Sequence, residues 1–404
     1  MKKPTLAVMA AMLLACESPS GPDREPPRAF TSAEQQISAS NTQFGLALFA
    51  HVHRAASEPN MLVSPLSASM ALGMTANGAE DETLHAMRTT LGFGTLPEDS
   101  VNAAYRGLIA QLLARDAKVE FRLANSIWHE RTFPVEQPFL DAARTHFNAE
   151  VRGIDFRDAA APRTISGWAE RETGGRIKNL IERIDPLEIM FLVNAVYFKA
   201  PWSQPFEPNA TRPARFTRLN GTTVDAPMMS GDATRPFVRT AEIEAVELLY
   251  GDSAFSMVVI APAAGRKLDD LVAGLTPARW AGWMQSLEPG RLLLSLPKFR
   301  FDFGHKLNDA LKAMGMAVAF DATRADFDRI TRVRDDLYIS RVEHKTFIDV
   351  HERGTEAAAA TAVGIGVTSL PPSITIDRPF LFAIRERSSG TILFMGRVGD
   401  PTAT

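Results

Sequence analysis

Two pairs of residues in this sequence could in principle bind a catalytic metal. His351 and Glu352 begin like the His-Glu-x-x-His signature of zinc proteases, but Thr355 stands where the second histidine would be needed. His51 and His53 are two residues apart, and side chains at that spacing do not face each other on a helix. Neither pair predicts a metal site, and we expect no metal or other cofactor.

Nucleophilic catalysis finds as little support. The segment from Gly251 to Phe255 contains a serine, but it lacks the last glycine of the Gly-x-Ser-x-Gly turn of hydrolases. Ser295 and Lys298 have the spacing of a serine–lysine pair, yet Pro297 prevents the helical turn that would bring their side chains together. The sequence also has no glycine-rich phosphate loop. It therefore predicts that the chain is not an enzyme.

The stretch between Glu356 and Asp377 could be a substrate instead of a catalyst, because a protease could cleave it. It carries no charge, and residues 357–360 are all alanine. Alanine favours a helix, but the following glycines and β-branched residues favour extended chain. Pro371 and Pro372 then end any strand. An uncharged tip between arms of small residues is open to proteolysis, although an alanine-rich linker or helix is the alternative interpretation.

The same stretch also alternates like a strand with one buried face. With a period of two, one face begins at Thr355 and ends in the β-branched residues Val363, Ile365 and Val367. The other face begins at Glu356 and carries mostly alanine and glycine. The first face could be buried in a sheet while the second faces out. A cleavable tip is thus combined with an arm that can form a strand.

This combination resembles the reactive-centre loop of the serpins, a family of serine protease inhibitors whose loop inserts into a β-sheet after cleavage. The matching hinge has Gly-Thr-Glu followed by small residues, here Gly354, Thr355, Glu356, Ala357, Ala358, Ala359, Ala360 and Thr361. The resemblance implies a loop over residues 354–379. The family's usual spacing from the hinge places the cleaved bond between Thr368 and Ser369, with Val367–Thr368 as the alternative.

Other family motifs follow in the same order over roughly residues 30 to 400. Ser64 and Pro65 form a natural helix start, with serine as the cap and proline at the first helical position. The run from Leu192 to Trp202 predicts a long apolar strand with one asparagine. The resemblance implies an α+β serpin fold in a single domain. We expect a large central mixed β-sheet, two further sheets, eight or nine helices and an exposed reactive-centre loop.

Two clusters that control opening of the central sheet are also implied by the resemblance. The first is a polar network where the central strands part, with the members Ser64, Ser67, Asn194 and His344. A buried asparagine needs hydrogen-bond partners, which agrees with membership of Asn194 in a network. The second cluster, where the loop first enters the sheet, pairs Glu352 with Lys298 near Trp202. We call it the insertion point.

Further local patterns predict individual elements. Strands are expected over 121–128, from Val342 into the loop, and over 377–384 and 392–398, the last two joined by a turn at 388–390. Apolar residues at helical spacing predict a helix around 41–49. Trp168 to Ile181 fits a helix that breaks at Gly174 and Gly175, and Leu307 to Met316 fits another.

Composition sets limits on the partners. With 404 residues, of which 45% are hydrophobic and 23% charged, the chain is long enough for a large core. A formal charge of -3 gives no support for nucleic-acid binding, which requires clustered positive charge. We expect a monomer whose partner is a serine protease.

The amino terminus predicts export. Lys2 and Lys3 precede an apolar run of signal-peptide length, which is too short to span a bilayer. The run ends in Leu-Leu-Ala-Cys, which resembles a bacterial lipobox, so we expect residues 1–15 to be removed and Cys16 to be lipidated. Residues 16–29 would form a tether before a domain over 30–404. The alternative is a plain signal peptide and a secreted extracellular protein.

The function implied by the resemblance is irreversible inhibition of a serine protease at the cell surface or in the periplasm. A small β-branched residue before the cleaved bond suits the shallow pocket of elastase-like or some subtilisin-like proteases. Because a fold does not by itself establish an activity, a non-inhibitory binding or storage protein on the same fold is the competing hypothesis.

Overall fold

The computed structural model describes residues 27–334, 336–355 and 371–404. Several residues singled out above lie outside this part of the chain. They are the amino-terminal signal with Cys16, the hinge residues Glu356, Ala357, Ala358, Ala359, Ala360 and Thr361, and the expected cleavage site Thr368–Ser369.

The described residues form nine α-helices. They are α1 Ser32–Ala55, α2 Pro65–Ala76, α3 Asp81–Thr90, α4 Glu98–Ala114, α5 Gln137–Phe147, α6 Ala161–Glu172, α7 Leu268–Ala273, α8 Pro277–Gln285 and α9 Asn308–Leu311. Local sequence explains where the first two begin. Thr31 and Glu34 form a reciprocal capping box at the start of α1, and Ser64 caps α2 by accepting a hydrogen bond from the Ser67 backbone N–H.

Fifteen strands complete the described part of the chain. They are β1 Met61–Val63, β2 Glu120–Glu130, β3 Ala149–Ile154, β4 Met190–Pro201, β5 Arg212–Thr217, β6 Thr223–Arg239, β7 Ile243–Tyr250, β8 Phe255–Pro262, β9 Glu288–Pro297, β10 Phe299–Lys306, β11 Glu343–His351, β12 Gly354–Thr355, β13 Ser373–Thr375, β14 Phe380–Glu386 and β15 Ile392–Val398. The strands predicted from the sequence correspond to β2, β4, β11, β14 and β15.

The central mixed sheet has six strands in the order β10-β11-β12-β4-β2-β3. Its pairings are antiparallel except for the parallel pair β2–β3. Because β4 and β11 are both antiparallel to β12, they run parallel to each other. Within the described residues, β12 alone stands between them, and no ladder joins β4 directly to β11.

The other strands form one nine-stranded sheet rather than the two further sheets expected from the sequence. Its main order is β1-β15-β14-β8-β7-β6-β9-β13, with β5 paired to β6. The reason is the length of β6, which has 17 residues. It pairs with β5 over residues 223–228, with β9 over residues 228–237 and with β7 over residues 237–239, so its ladders form one continuous sheet.

Helix α2 lies inside the main hydrophobic core. Every residue of this helix except Ala71 is buried, as expected for a helix that is apolar on all sides. A second, smaller core lies where α6 packs on β2 and β4, and it is centred on Trp128 and Trp168, whose rings meet edge to face. The described helices include none that is long and apolar enough to cross a membrane.

The prediction of a helix from Trp168 to Ile181 is wrong at its carboxyl end. Helix α6 ends at Glu172, and Gly174 and Gly175 follow with φ angles of 59° and 83°. Left-handed backbone of this kind ends a helix and is a conformation that glycine adopts easily. The helix predicted over 307–316 is α-helical only as far as Leu311, where α9 ends. A π-helical turn follows, in which Gly315 has a φ of 114°.

Candidate site of loop insertion

The start of the hinge is already a strand of the central sheet. Gly354 pairs with His351 of β11 on one side and with Pro201 of β4 on the other. Thr355 pairs in the same way with Val350 and Ala200. The first two hinge residues therefore lie between the two strands that would have to accept an inserted loop.

Only glycine fits at the first of these positions. Gly354 has a φ of 146°, and a Cβ atom built on it would lie 2.1 Å from the carbonyl oxygen of Ala200. Real Cβ atoms essentially never make non-bonded contacts this short, so any side chain would push the hinge away from β4. The glycine thus allows the backbone of the hinge to approach β4 closely enough to pair.

An ion pair lies beside this strand, at the insertion point. Lys298 Nζ is 3.0 Å from Glu352 Oε2, and the Thr211 hydroxyl donates a hydrogen bond of 2.8 Å to Glu352 Oε1. The side chain of Glu352 is only 11% exposed, whereas that of Lys298 is 37% exposed. Burial alone would raise the pKa of Glu352. Hydrogen bonds from its own backbone N–H, from Thr211 and from Lys298 nevertheless hold that pKa below its ordinary value.

Trp202 fixes the turn between β11 and β12 from the other side. Its indole N–H donates to the carbonyl oxygen of His351 at 2.9 Å, and its backbone N–H donates to that of Arg353, also at 2.9 Å. Its ring stacks on Tyr250 with a centroid distance of 4.4 Å. These contacts place the three residues predicted for the insertion point around one turn of the chain.

Three of the four residues expected in the polar network are joined by hydrogen bonds. The backbone N–H of Ser64 donates to His344 Nε2 at 3.0 Å, and that of Ser67 donates to Ser64 Oγ at 3.3 Å. Ser64 Oγ in turn donates to the carbonyl oxygen of Leu393 at 2.7 Å. The network therefore connects the start of α2 to β11 and β15.

Asn194 differs from the expectation, because it bonds to a residue that the sequence did not single out. Its amide nitrogen donates to Asn125 Oδ1 at 2.6 Å, and Asn125 donates in turn to the carbonyl oxygen of Phe147. Asn125 and Asn194 are direct cross-strand partners in β2 and β4, which explains the pairing. Asn194 Oδ1 is buried and has no hydrogen-bond partner among the described residues.

One group of carboxylates in the described part of the chain could be considered for a metal. Oxygens of Glu80, Asp326 and Asp328 lie within 4.8 Å of one another, at the surface. Arg329 Nε is already 3.2 Å from Glu80, so a guanidinium supplies the positive charge that a cation would bring. We assign no metal to this group.

Comparison with known proteins identifies the family of this chain. The family model described as Serpin (serine protease inhibitor) matches residues 39–401. The chain belongs to the serpin family. Serpin A3-5 of Bos taurus is 34% identical over 372 residues, which cover 91% of this chain and 89% of that protein.

Solved serpin structures show the same fold. The thermophilic serpin tengpin, in its native state, matches with a TM-score of 0.83 and 30% identity, covering 93% of this chain and 96% of tengpin. Human thyroxine-binding globulin complexed with thyroxine matches with a TM-score of 0.84 and 30% identity, covering 92% of this chain and all (100%) of the globulin chain. The α+β serpin fold predicted from the sequence is confirmed. Serpins are mostly protease inhibitors, whereas the human globulin is named for its binding of thyroxine.

The environment of His344 predicts that stability depends on pH. Burial, and secondarily the nearby His305, lowers the pKa of His344 from 6.5 to about 4. The unfolded chain therefore binds the proton more readily, so this contribution is complete above pH 6.5 and is lost as the pH falls towards 4. At about 1.4 kcal/mol per pKa unit, the expected loss is about 3 kcal/mol.

We expect the urea concentration at the unfolding midpoint to decrease when the pH is lowered from 7 to 4.5. The decrease should be smaller in His344→Gln. Glutamine offers an oxygen that can accept the Ser64 N–H but does not titrate. Since other groups also titrate over this range, the decisive quantity is the difference between the two proteins. Parallel curves for parent and variant would show that His344 does not carry the effect.

Proposed function

We propose that the protein is a suicide-substrate inhibitor of serine proteases. The observation that supports this most directly is the position of β12, a strand of hinge residues between β4 and β11 that is antiparallel to both. A loop that continues from Thr355 could pair with β4 on one side and with β11 on the other. Insertion would extend a strand that already exists rather than start a new one.

The register of β12 predicts the partners of the inserted loop. Each step forward along the loop is one step back along both neighbours, starting from Thr355 opposite Val350 and Ala200. Six steps on (355 to 361, 350 to 344, 200 to 194), Thr361 would face His344 and Asn194. In an inserted strand its hydroxyl would lie on the same face as that of Thr355 and would meet Asn194 Oδ1, the buried acceptor that lacks a partner among the described residues. The polar network would then bind the inserted loop.

The proposed reaction begins with attack of the protease serine on the carbonyl carbon of Thr368, which forms an acyl-enzyme and releases the amine of Ser369. The protease histidine and oxyanion hole drive this step, so the catalysis belongs to the protease. The freed hinge side then inserts between β4 and β11 and carries the ester-linked protease along. Deacylation stalls because the protease active site is distorted. Such a native state is kinetically stable relative to the inserted one.

A protease panel tests this proposal. Incubation with an elastase-like protease should give a complex that survives boiling in detergent. Mass spectrometry should identify a released peptide whose first residue is Ser369. Thr368→Arg is the matched control, because it should transfer inhibition from elastase-like to trypsin-like proteases. Cleavage by every protease without any stable complex would contradict inhibition. That result would favour the alternative, a binding or storage protein, the class to which thyroxine-binding globulin belongs.

We also propose that the protein is exported and anchored through a lipid on Cys16. The support is the apolar run followed by Leu-Leu-Ala-Cys, in which Cys16 is the chain's one cysteine. Stable anchoring needs more than one acyl chain, as a lipoprotein cysteine would carry. The parent should partition into the detergent phase, and Cys16→Ser should move most of the protein to the aqueous phase. Equal partitioning of the two would refute the anchor.

A further inference from the structure

The side chain of Tyr250 is fully buried, and its hydroxyl is the one polar group of that side chain. Tyr250 is the last residue of β7, and its ring packs between Trp202, stacked at 4.4 Å, and Phe198, edge to face at 5.0 Å. Burial raises the pKa of the Tyr250 hydroxyl above its ordinary range, so the group stays neutral. Among the described residues, this hydroxyl has one hydrogen-bond partner, the Thr355 hydroxyl at 2.6 Å.

Thr355 is also buried, and its hydroxyl forms the same hydrogen bond. The residue is only 3% exposed, and its backbone is paired with both β4 and β11. Each hydroxyl therefore satisfies the other in a place that water reaches poorly. Removing one would leave the other buried without a partner, which is less favourable than removing both. Tyr250 also belongs to the nine-stranded sheet, so the bond ties the hinge to a second sheet.

We propose that Tyr250 is a positioning residue for loop insertion, whose hydroxyl holds Thr355 in the central sheet before the reactive bond is cleaved. This inference rests on the proposed inhibitory function. The bond is present before cleavage and is kept during insertion, so it presents no obstacle in the parent. Without the Tyr250 hydroxyl, Thr355 gains by leaving the sheet and bonding to water. Insertion must then begin by burying an unpaired hydroxyl, which raises its barrier.

Tyr250→Phe tests the inference with two measurements. In the intact protein without protease, amide hydrogen exchange at Gly354 and Thr355 should become about tenfold faster. With protease, the number of inhibitor molecules consumed per protease trapped should rise at least about twofold, because insertion competes with deacylation. The double variant Tyr250→Phe with Thr355→Val removes both hydroxyls and should bring both values back towards the parent.

Tyr105→Phe is the matched control. Tyr105 lies in α4, away from the hinge, and is also fully buried. Its hydroxyl donates a hydrogen bond of 3.2 Å to the carbonyl oxygen of Ser69. This variant should lose stability without changing exchange at the hinge. Unchanged hinge exchange in Tyr250→Phe would overturn the inference whatever happens to inhibition. A parent that traps no protease would instead refute the proposed function, and hinge exchange would still decide the role of Tyr250.

Discussion

A Thr355→Arg variant is expected to be cleaved by its target protease yet to trap almost none of it. Thr355 lies in β12 with 3% of its surface exposed, and its side chain meets the buried hydroxyl of Tyr250. An unpaired charge at this place costs several kcal/mol even after relaxation. The arginine would leave the sheet, and insertion after cleavage would have to bury it again. Since about 1.4 kcal/mol slows a step tenfold, insertion should be slowed by at least about 100-fold and should lose to deacylation.

The matched control is the neighbouring position, Glu356→Arg. Alternation places residue 356 on the opposite face of the inserted strand, where a charge can stay in water. We expect this variant to inhibit almost normally. The measurement for both is the number of inhibitor molecules consumed per protease inactivated, which should rise steeply for Thr355→Arg alone. If that variant trapped protease with the stoichiometry of the parent, insertion through this register would be excluded.

Elements with strong local patterns could be predicted from the sequence. The apolar run of β4, the strands β14 and β15 on either side of a turn, and the start of α2 at Ser64 and Pro65 were all correctly placed. The break predicted at Gly174 and Gly175 is present, but the continuation of the helix to Ile181 is wrong, because the apolar spacing continues past Glu172 although the chain does not remain helical. The joining of β6 to three neighbours was likewise not predictable, because register between distant strands leaves no local signal.

The site was predictable only where a motif marks it. The positions of Gly354, Glu352 and Lys298 followed from the resemblance, whereas Asn125, Thr211 and Tyr250 were missed. Each of these three meets its partner across a long sequence separation. Asn125 bonds to Asn194, 69 residues away, Thr211 to Glu352, 141 residues away, and Tyr250 to Thr355, 105 residues away. Asn125 did leave a signal, as a polar residue inside a strand with an apolar pattern, and the structure places it directly opposite the half-buried Asn194.

Glu352→Lys should make the protein form loop–sheet polymers on mild heating. The substitution removes the acceptor of Lys298 and Thr211 and puts a second positive charge next to Lys298. For a pair with one buried and one half-exposed partner, we expect a loss of about 1–3 kcal/mol at the insertion point. The turn that carries β12 is then held less firmly, and the hinge leaves the sheet. The unpaired edges of β4 and β11 can accept a strand from another molecule.

The control for this variant is Asp232→Lys, which makes the same change of charge in a pair at the surface. Asp232 and Arg291 lie 2.6 Å apart in the nine-stranded sheet, and their side chains are 34% and 36% exposed. Such solvent-screened pairs contribute little to stability. After parallel heating, native gel electrophoresis should show a ladder of oligomers for Glu352→Lys, with the parent and Asp232→Lys mostly monomeric. A ladder of equal strength in both variants would mean that charge alone promotes association. No ladder in Glu352→Lys would mean that loss of the Glu352–Lys298 pair does not open the sheet to a strand from another molecule.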